Sequence, residues 1–128
     1  KIFEAEHSPK YFYNVINGEK EGLNFATAKK VILFSSLGNP EGFEKTMAAM
    51  GADVMLSIRF RDHHRFTKKE IKGFMGLLER TGTQLLVTTE KDEVRLNKKF
   101  ITDKRIYALK IGMNIKNSKE LEKRLKIS

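Results

Sequence analysis

The 128-residue chain has no cysteine, no tryptophan and only two prolines. Without cysteine it can build neither a disulfide scaffold nor a thiolate zinc site. Long apolar stretches are also missing. No uninterrupted run exceeds that of Val31 to Phe34, which falls far short of the ~20 residues a membrane-spanning helix needs, and no signal-peptide pattern opens the chain. Neither Gly-x-Gly-x-x-Gly nor Gly-Lys-Ser/Thr occurs, which removes the dinucleotide fingerprint and the Walker phosphate loop. Internal repeats, low-complexity tracts and long linkers are absent too, so no interior domain boundary is expected.

The composition suits one soluble globular domain: 40% of the residues are hydrophobic and 32% charged. A chain of this size buries roughly two thirds of its unfolded surface, enough for a core. The first residue is Lys1 rather than Met, so the chain is expected to be a piece of a longer protein. Its net charge of +9 is unevenly spread, with eleven Lys and Arg against four Asp and Glu over residues 93–128. A basic surface of this kind attracts phosphate, nucleic acid or an anionic membrane face, and it also serves as a solvated, solubilising face.

Residues 2–16 are rich in aromatic and β-branched side chains, and Asn17-Gly18 supplies a hairpin-turn dipeptide, so an antiparallel hairpin or linker is expected over 1–29. Val31 to Phe34 reads as a strand buried on both faces. Asn39-Pro40 starts a helix that Phe43, Met47 and Met50 line and Gly51 ends. Val54, Leu56, Ile58 and Phe60 alternate as a second strand. A second helix begins at Thr67, where Thr67 and Glu70 form a capping box, carries Ile71, Phe74, Leu77 and Leu78 inward, and closes at Gly82. Gln84 to Thr88 is a third strand, Glu90 to Leu96 a short helix, and Arg105 to Ile111 a fourth strand. A last helix is expected from Ser118, with Leu121 and Leu125 inward. This alternation predicts an α/β fold, a mostly parallel sheet with helices on both faces, whose ligands bind beyond the carboxyl ends of the strands.

Three loops then carry the chemistry. Ser35-Ser36-Leu37-Gly38-Asn39-Pro40-Glu41 leads into a helix N-terminus, whose free N–H groups can hold an anion or simply be capped. Arg59-Phe60-Arg61-Asp62-His63-His64-Arg65 packs two of the three histidines and three arginines around one aspartate. Histidine, with its ordinary pKa of ~6.5, exchanges protons at neutral pH, and arginines neutralise phosphate oxygens. In an extended loop only one of His63 and His64 faces a given site, and Asp62 need not orient His63. Thr88-Thr89-Glu90-Lys91-Asp92 fits a capped helix start that leaves Lys91 free for a phosphate.

The runs Leu37 to Phe43, Phe60 to His64 with Phe66-Thr67 behind, and Thr89 to Leu96 together resemble the C-terminal domain of the tetraacyldisaccharide 4'-kinases, the lipid A 4'-kinases. Order and spacing agree over roughly Ala28 to Leu125, and Thr89-Glu90-Lys91-Asp92 is the most specific element. The resemblance implies an α/β kinase half at 30–128, preceded by interdomain strands at 1–29. It implies transfer of the ATP γ-phosphate, with Mg2+, to the 4'-hydroxyl of tetraacyldisaccharide 1-phosphate to give lipid IVA. The first histidine after the aspartate belongs to the family's catalytic machinery, which places His63, with Asp62 beside it, in the catalytic role. The next position varies among relatives, so His64 is not carried over. Arg61, Arg65, Gly38, Asn39, Glu90, Lys91 and Asp92 are expected to meet the substrate or its phosphates, and no metal ligand is expected in this chain.

The family's phosphate loop lies in an N-terminal domain that nothing here matches, so this chain alone is expected to be inert. Ser35-Ser36 departs from the small apolar residues and glycine usual before the Gly-Asn-Pro turn. The implied setting is peripheral, on the cytoplasmic side of the inner membrane, with Lys98, Lys99, Lys104 and Arg105 facing the anionic lipid. The alternative is a stand-alone basic α/β module binding nucleic acid or another polyanion. It explains the basic tail but none of the three loops, and no RNA-binding signature is present, so no nucleic acid is expected. A metal phosphoesterase, suggested by Asp62-His63-His64, lacks the further ligands such a site needs.

Overall fold

Val31-Ile32-Leu33-Phe34 lies one strand in from the edge of a six-stranded sheet and is buried on both faces, as its unbroken apolar run requires. The computed structural model describes residues 5–36, 38–62 and 64–115, with side chains between residues 8 and 112. The strands are β1 (Ala5–Asn14), β2 (Lys20–Glu21), β3 (Lys30–Ser35), β4 (Asp53–Arg59), β5 (Leu85–Thr89) and β6 (Ile106–Ile115), in the order β2-β1-β6-β5-β3-β4. β4, β3, β5 and β6 run parallel, and β1 is antiparallel to both β6 and β2. The helices are α1 (Pro40–Ala49), α2 (Lys68–Thr81) and the single turn α3 (Glu90–Glu93).

Strand alternation divides the core in two. Val31 and Leu33 pack with Phe43 and Met47 of α1 on one face, while Ile32 and Phe34 pack with Ile71, Phe74 and Leu78 of α2 on the other. Each such side chain contributes about 1.5–3 kcal/mol by leaving water. The expected mostly parallel sheet with helices on both faces is therefore present. No helix among the described residues is long and apolar enough to cross a membrane.

Local signals mark the ends of α2. The Thr67–Glu70 capping box forms with both bonds, and Gly82 ends the helix in the left-handed region at φ +64°.

Four details differ from the sequence reading. In β4 the register slips between Val31 and Ile32 of β3, whose partners are Val54 and Leu56, so Met55 is an extra residue in a bulge. The bulge reverses the parity of the strand. Val54 packs on the α1 face, Ile58 and Phe60 pack on the α2 face, and Met55 and Leu56 remain 46% and 45% exposed on this outermost strand. Second, the hairpin turn is not a two-residue Asn17-Gly18 loop: Tyr13 pairs with Lys20, and the Asn14 carboxamide oxygen accepts from the N–H groups of Ile16 and Asn17.

Third, β1 runs beside β6 from Ala5↔Ile115 to Asn14↔Tyr107, so the hairpin strands extend the same sheet. Fourth, α3 stops after one turn, with Arg95 and Leu96 continuing it only as turns bonded to the carbonyls of Asp92 and Glu93. The helix expected from Ser118, with Leu121 and Leu125, lies outside the described residues.

Candidate active site

At the carboxyl end of the parallel strands the chain leaves β3 through α1 toward β4, and leaves β5 through α3 toward β6. Adjacent strands whose connections diverge in this way leave a crevice between their loops. A cleft of about 570 Å³ opens there. Gly38 and Asn39 border one side, Thr89, Glu90 and Lys91 the other, and Phe43, Leu109 and Ile111 give it apolar walls. Its size is that of a site for a drug-sized molecule or a sugar phosphate.

The loop after β4 contributes no lining residue but meets the first loop at Gly38, where an added Cβ would lie 3.6 Å from Asp62 Oδ2. Lys91 is exposed and forms no ion pair among the described residues, whereas Glu90 is bound to Lys110 at 2.7 Å. Behind the cleft the Asp92 side chain is fully buried. Its Oδ2 accepts from the Ser36 N–H at 3.0 Å and from the Thr89 hydroxyl at 2.9 Å, and its Oδ1 accepts from the Ser36 hydroxyl.

The sequence model of the family described as Tetraacyldisaccharide-1-P 4'-kinase matches residues 1–127. The chain belongs to this family. It is 36% identical over 124 residues to the tetraacyldisaccharide 4'-kinase of Elusimicrobium minutum (strain Pei191), covering 95% of this chain and 32% of that one. It is 37% identical over 94 residues to the enzyme of the same name from Anaeromyxobacter sp. (strain K), covering 73% of this chain and 25% of that one. Among solved structures it is similar to LpxK from Aquifex aeolicus in complex with ATP, with a TM-score of 0.59 and 23% identity over 97% of this chain and 35% of that chain; this likeness bears on the fold. The chain thus spans a quarter to a third of the length of these curated relatives.

Within this tetraacyldisaccharide-1-P 4'-kinase family member, Gly38, Asn39, Glu90 and Lys91 meet at the cleft, with Asp62 beside Gly38 and Asp92 behind. His63 lies outside the described residues. Arg61 and Arg65 are exposed and do not line the cleft. Arg59, from the same run, is committed elsewhere: Nε and Nη2 donate to the Glu44 carboxylate of α1 at 2.9 and 2.7 Å, and Ser57 donates to the same group. Reading the sequence missed Phe43, Leu109 and Ile111 as lining. It also missed Ser36 as a partner of Asp92, although Ser35-Ser36 stood out as a departure from the family pattern.

His64 has a supporting place. Its ring stacks on Phe60 at 4.6 Å between centroids, and Nε2 lies 2.9 Å from Glu70 Oε1, so the imidazole N–H donates to the carboxylate. Burial opposes ionisation of Glu70, but the Thr67 N–H, His64 and the Thr67 hydroxyl outweigh it and hold the carboxyl below its ordinary range. A depressed folded pKa contributes stability that is present above the unfolded carboxyl pKa of about 4.3 and lost as pH falls through the folded value. Acidification below pH ~4 is therefore expected to loosen the start of α2. Hydrogen exchange at the amides of residues 67–71 checks this, and Glu70→Gln should flatten the dependence.

On the far side of α3, Tyr13 donates to Glu93 Oε1 at 3.0 Å, and Lys98 lies 3.3 Å from Glu93 Oε2. Burial, reinforced by the Glu93 charge, pushes the Tyr13 phenol well above its usual range and keeps it a donor. Of the basic residues expected to face lipid, Arg105 is tied to Asp103 and Glu79 and Lys98 to Glu93, while Lys99 and Lys104 are exposed.

No group of three His, Asp or Glu side chains among the described residues could hold a metal ion. Among the lining residues the carboxylate is that of Glu90, which is paired with Lys110. Magnesium is usually held by one or two carboxylates together with substrate phosphates, and Glu90 is the lining residue that could offer one.

Proposed function

We propose that this chain is the C-terminal part of a tetraacyldisaccharide 4'-kinase that transfers the γ-phosphate of ATP to the 4'-hydroxyl of tetraacyldisaccharide 1-phosphate, forming lipid IVA and ADP. Residues 30–128 form its α/β half, residues 1–29 supply the interdomain strands, and a separate N-terminal domain carries the phosphate loop. The observation that supports this best is the cleft between the loops after β3 and β5, with Asp62 of the third loop against Gly38, in a chain whose family is that of these kinases.

In the reaction the acceptor oxygen bonds to the γ-phosphorus, the bond from that phosphorus to the ADP oxygen breaks, and the hydroxyl proton passes to a base. His63 is that base, with Asp62 next to it. The N-terminus of α1 at Asn39 and the ammonium of Lys91 present positive charge toward phosphate oxygens, which is what phosphoryl transfer asks of its surroundings. Phe43, Leu109 and Ile111 offer an apolar wall to the less polar part of the acceptor. Exposed Lys99 and Lys104 suit a protein that works peripherally against an anionic membrane face on the cytoplasmic side.

The test is ATP-dependent transfer of labelled phosphate to tetraacyldisaccharide 1-phosphate. The full-length protein is expected to label the lipid, and the 128-residue chain alone, which has no Gly-Lys-Ser/Thr cradle, is expected to label none. No transfer by the full-length protein would overturn the proposal.

A further inference from the structure

We infer that Asp92 is a positioning residue that sets the spacing of the cleft's two lips and does not itself touch the ligand. The kinetic part of this inference rests on the kinase function proposed above. Asp92 is fully buried and absent from the cleft lining, yet its carboxylate joins two segments that are 56 residues apart in the chain.

Oδ2 takes the Ser36 N–H and the Thr89 hydroxyl, and Oδ1 takes the Ser36 hydroxyl. Arg95 Nη1 lies 3.6 Å from Oδ1 and 3.3 Å from Ser36 Oγ. Thr89 closes the ring, since its Oγ1 also accepts from the Asp92 N–H at 3.1 Å. A buried carboxylate is tolerated only when donors and a counter-charge surround it, and bonds to an ionised acceptor are the strong ones.

Ser36 is two residues before Gly38, and Thr89 directly lines the opposite lip. Holding both on one carboxylate fixes the distance between the start of α1 and Lys91. A phosphate-bearing ligand then feels Asp92 only through that distance, so loss of the carboxylate weakens binding more than chemistry.

The test uses the full-length protein with Asp92→Asn and, as a milder variant, Ser36→Ala, which keeps the Ser36 N–H bond. Asp92→Asn turns an acceptor into an amide donor that faces Ser36 and Arg95. Hydrogen exchange of the segment Ser36 to Glu41 is expected to accelerate at least about tenfold, while the amides of Val31 to Phe34 stay protected. KM for tetraacyldisaccharide 1-phosphate is expected to rise about tenfold with kcat within about threefold. Ser36→Ala should shift both in the same direction by less.

Unchanged exchange at Ser36 to Glu41, or acceleration spread evenly across the sheet, would overturn the inference. So would a collapse of kcat at constant KM, which would make Asp92 a reacting group. If the wild-type protein transfers no phosphate, the kinase reading fails by itself and the exchange comparison still decides the role of Asp92.

Discussion

Replacing His63 with alanine in the full-length protein is expected to lower kcat for lipid phosphorylation by about 10²–10⁴-fold, the range a general base contributes. KM for ATP should change little, because the residues that hold the nucleotide's phosphates are proposed to lie in another domain. The neighbours of His63 support this role. Asp62 sits against Gly38 at the cleft, and His64 is fixed to Glu70 and to the rings of Phe60 and Phe66. His64 is thus braced against α2, and in the proposed mechanism the acceptor hydroxyl falls to His63 alone. Steady-state rates across pH check the assignment: the wild-type profile should carry an acid limb that His63→Ala lacks. An unchanged kcat would remove His63 from the mechanism and leave the family's fold in place.

Phe34→Ala is expected to destabilise the fold by about 3–5 kcal/mol, the cost of deleting a large buried side chain and leaving a cavity. Phe34 is fully buried, with its ring 4.7 Å from Phe74 and 5.0 Å from Phe66 between centroids. Those two rings belong to α2 and to the loop that leads into it, so the cavity would open beneath the segment that carries Asp62 and His64. Both stability and activity should fall, since the loop would lose the surface on which Phe60 and Phe66 rest. Exchange protection of β3 and α2 amides in the full-length protein measures the loss. A change under about 1 kcal/mol would mean that the aromatic cluster closes over the gap.

The parts of the fold that depend on neighbours in the chain were legible from the residues themselves. The buried run Val31 to Phe34, the Thr67–Glu70 box, the Thr89 cap and the left-handed Gly82 all rest on interactions within about four residues. Strand and helix order then emerge from the pattern, and with them the end of the sheet where chemistry belongs. Gly38, Asn39, Glu90 and Lys91 could be named as candidates for the same reason: strand–loop–helix junctions put them there.

Packing settled everything that depends on partners distant in sequence. Alternation from Val54 to Phe60 implies one inward face, but pairing with β3 inserts Met55 as a bulge and turns Ile58 and Phe60 to the face opposite Val54. Arg59 looks like a phosphate ligand beside His63 until α1 brings Glu44 within bonding distance. Asp92 reads as a first-turn acid at its helix, and only the packing of β3 against β5 reveals the Ser36 bonds that make it the tie between two loops. Local propensity acts over a turn of chain, whereas a carboxylate's role is set by whichever donors the sheet brings to it. Residue order along the chain was enough to specify the succession of strands and helices from Lys30 to β6 and the end of the sheet where the candidate site opens; the long-range contacts selected which charges are left to act there.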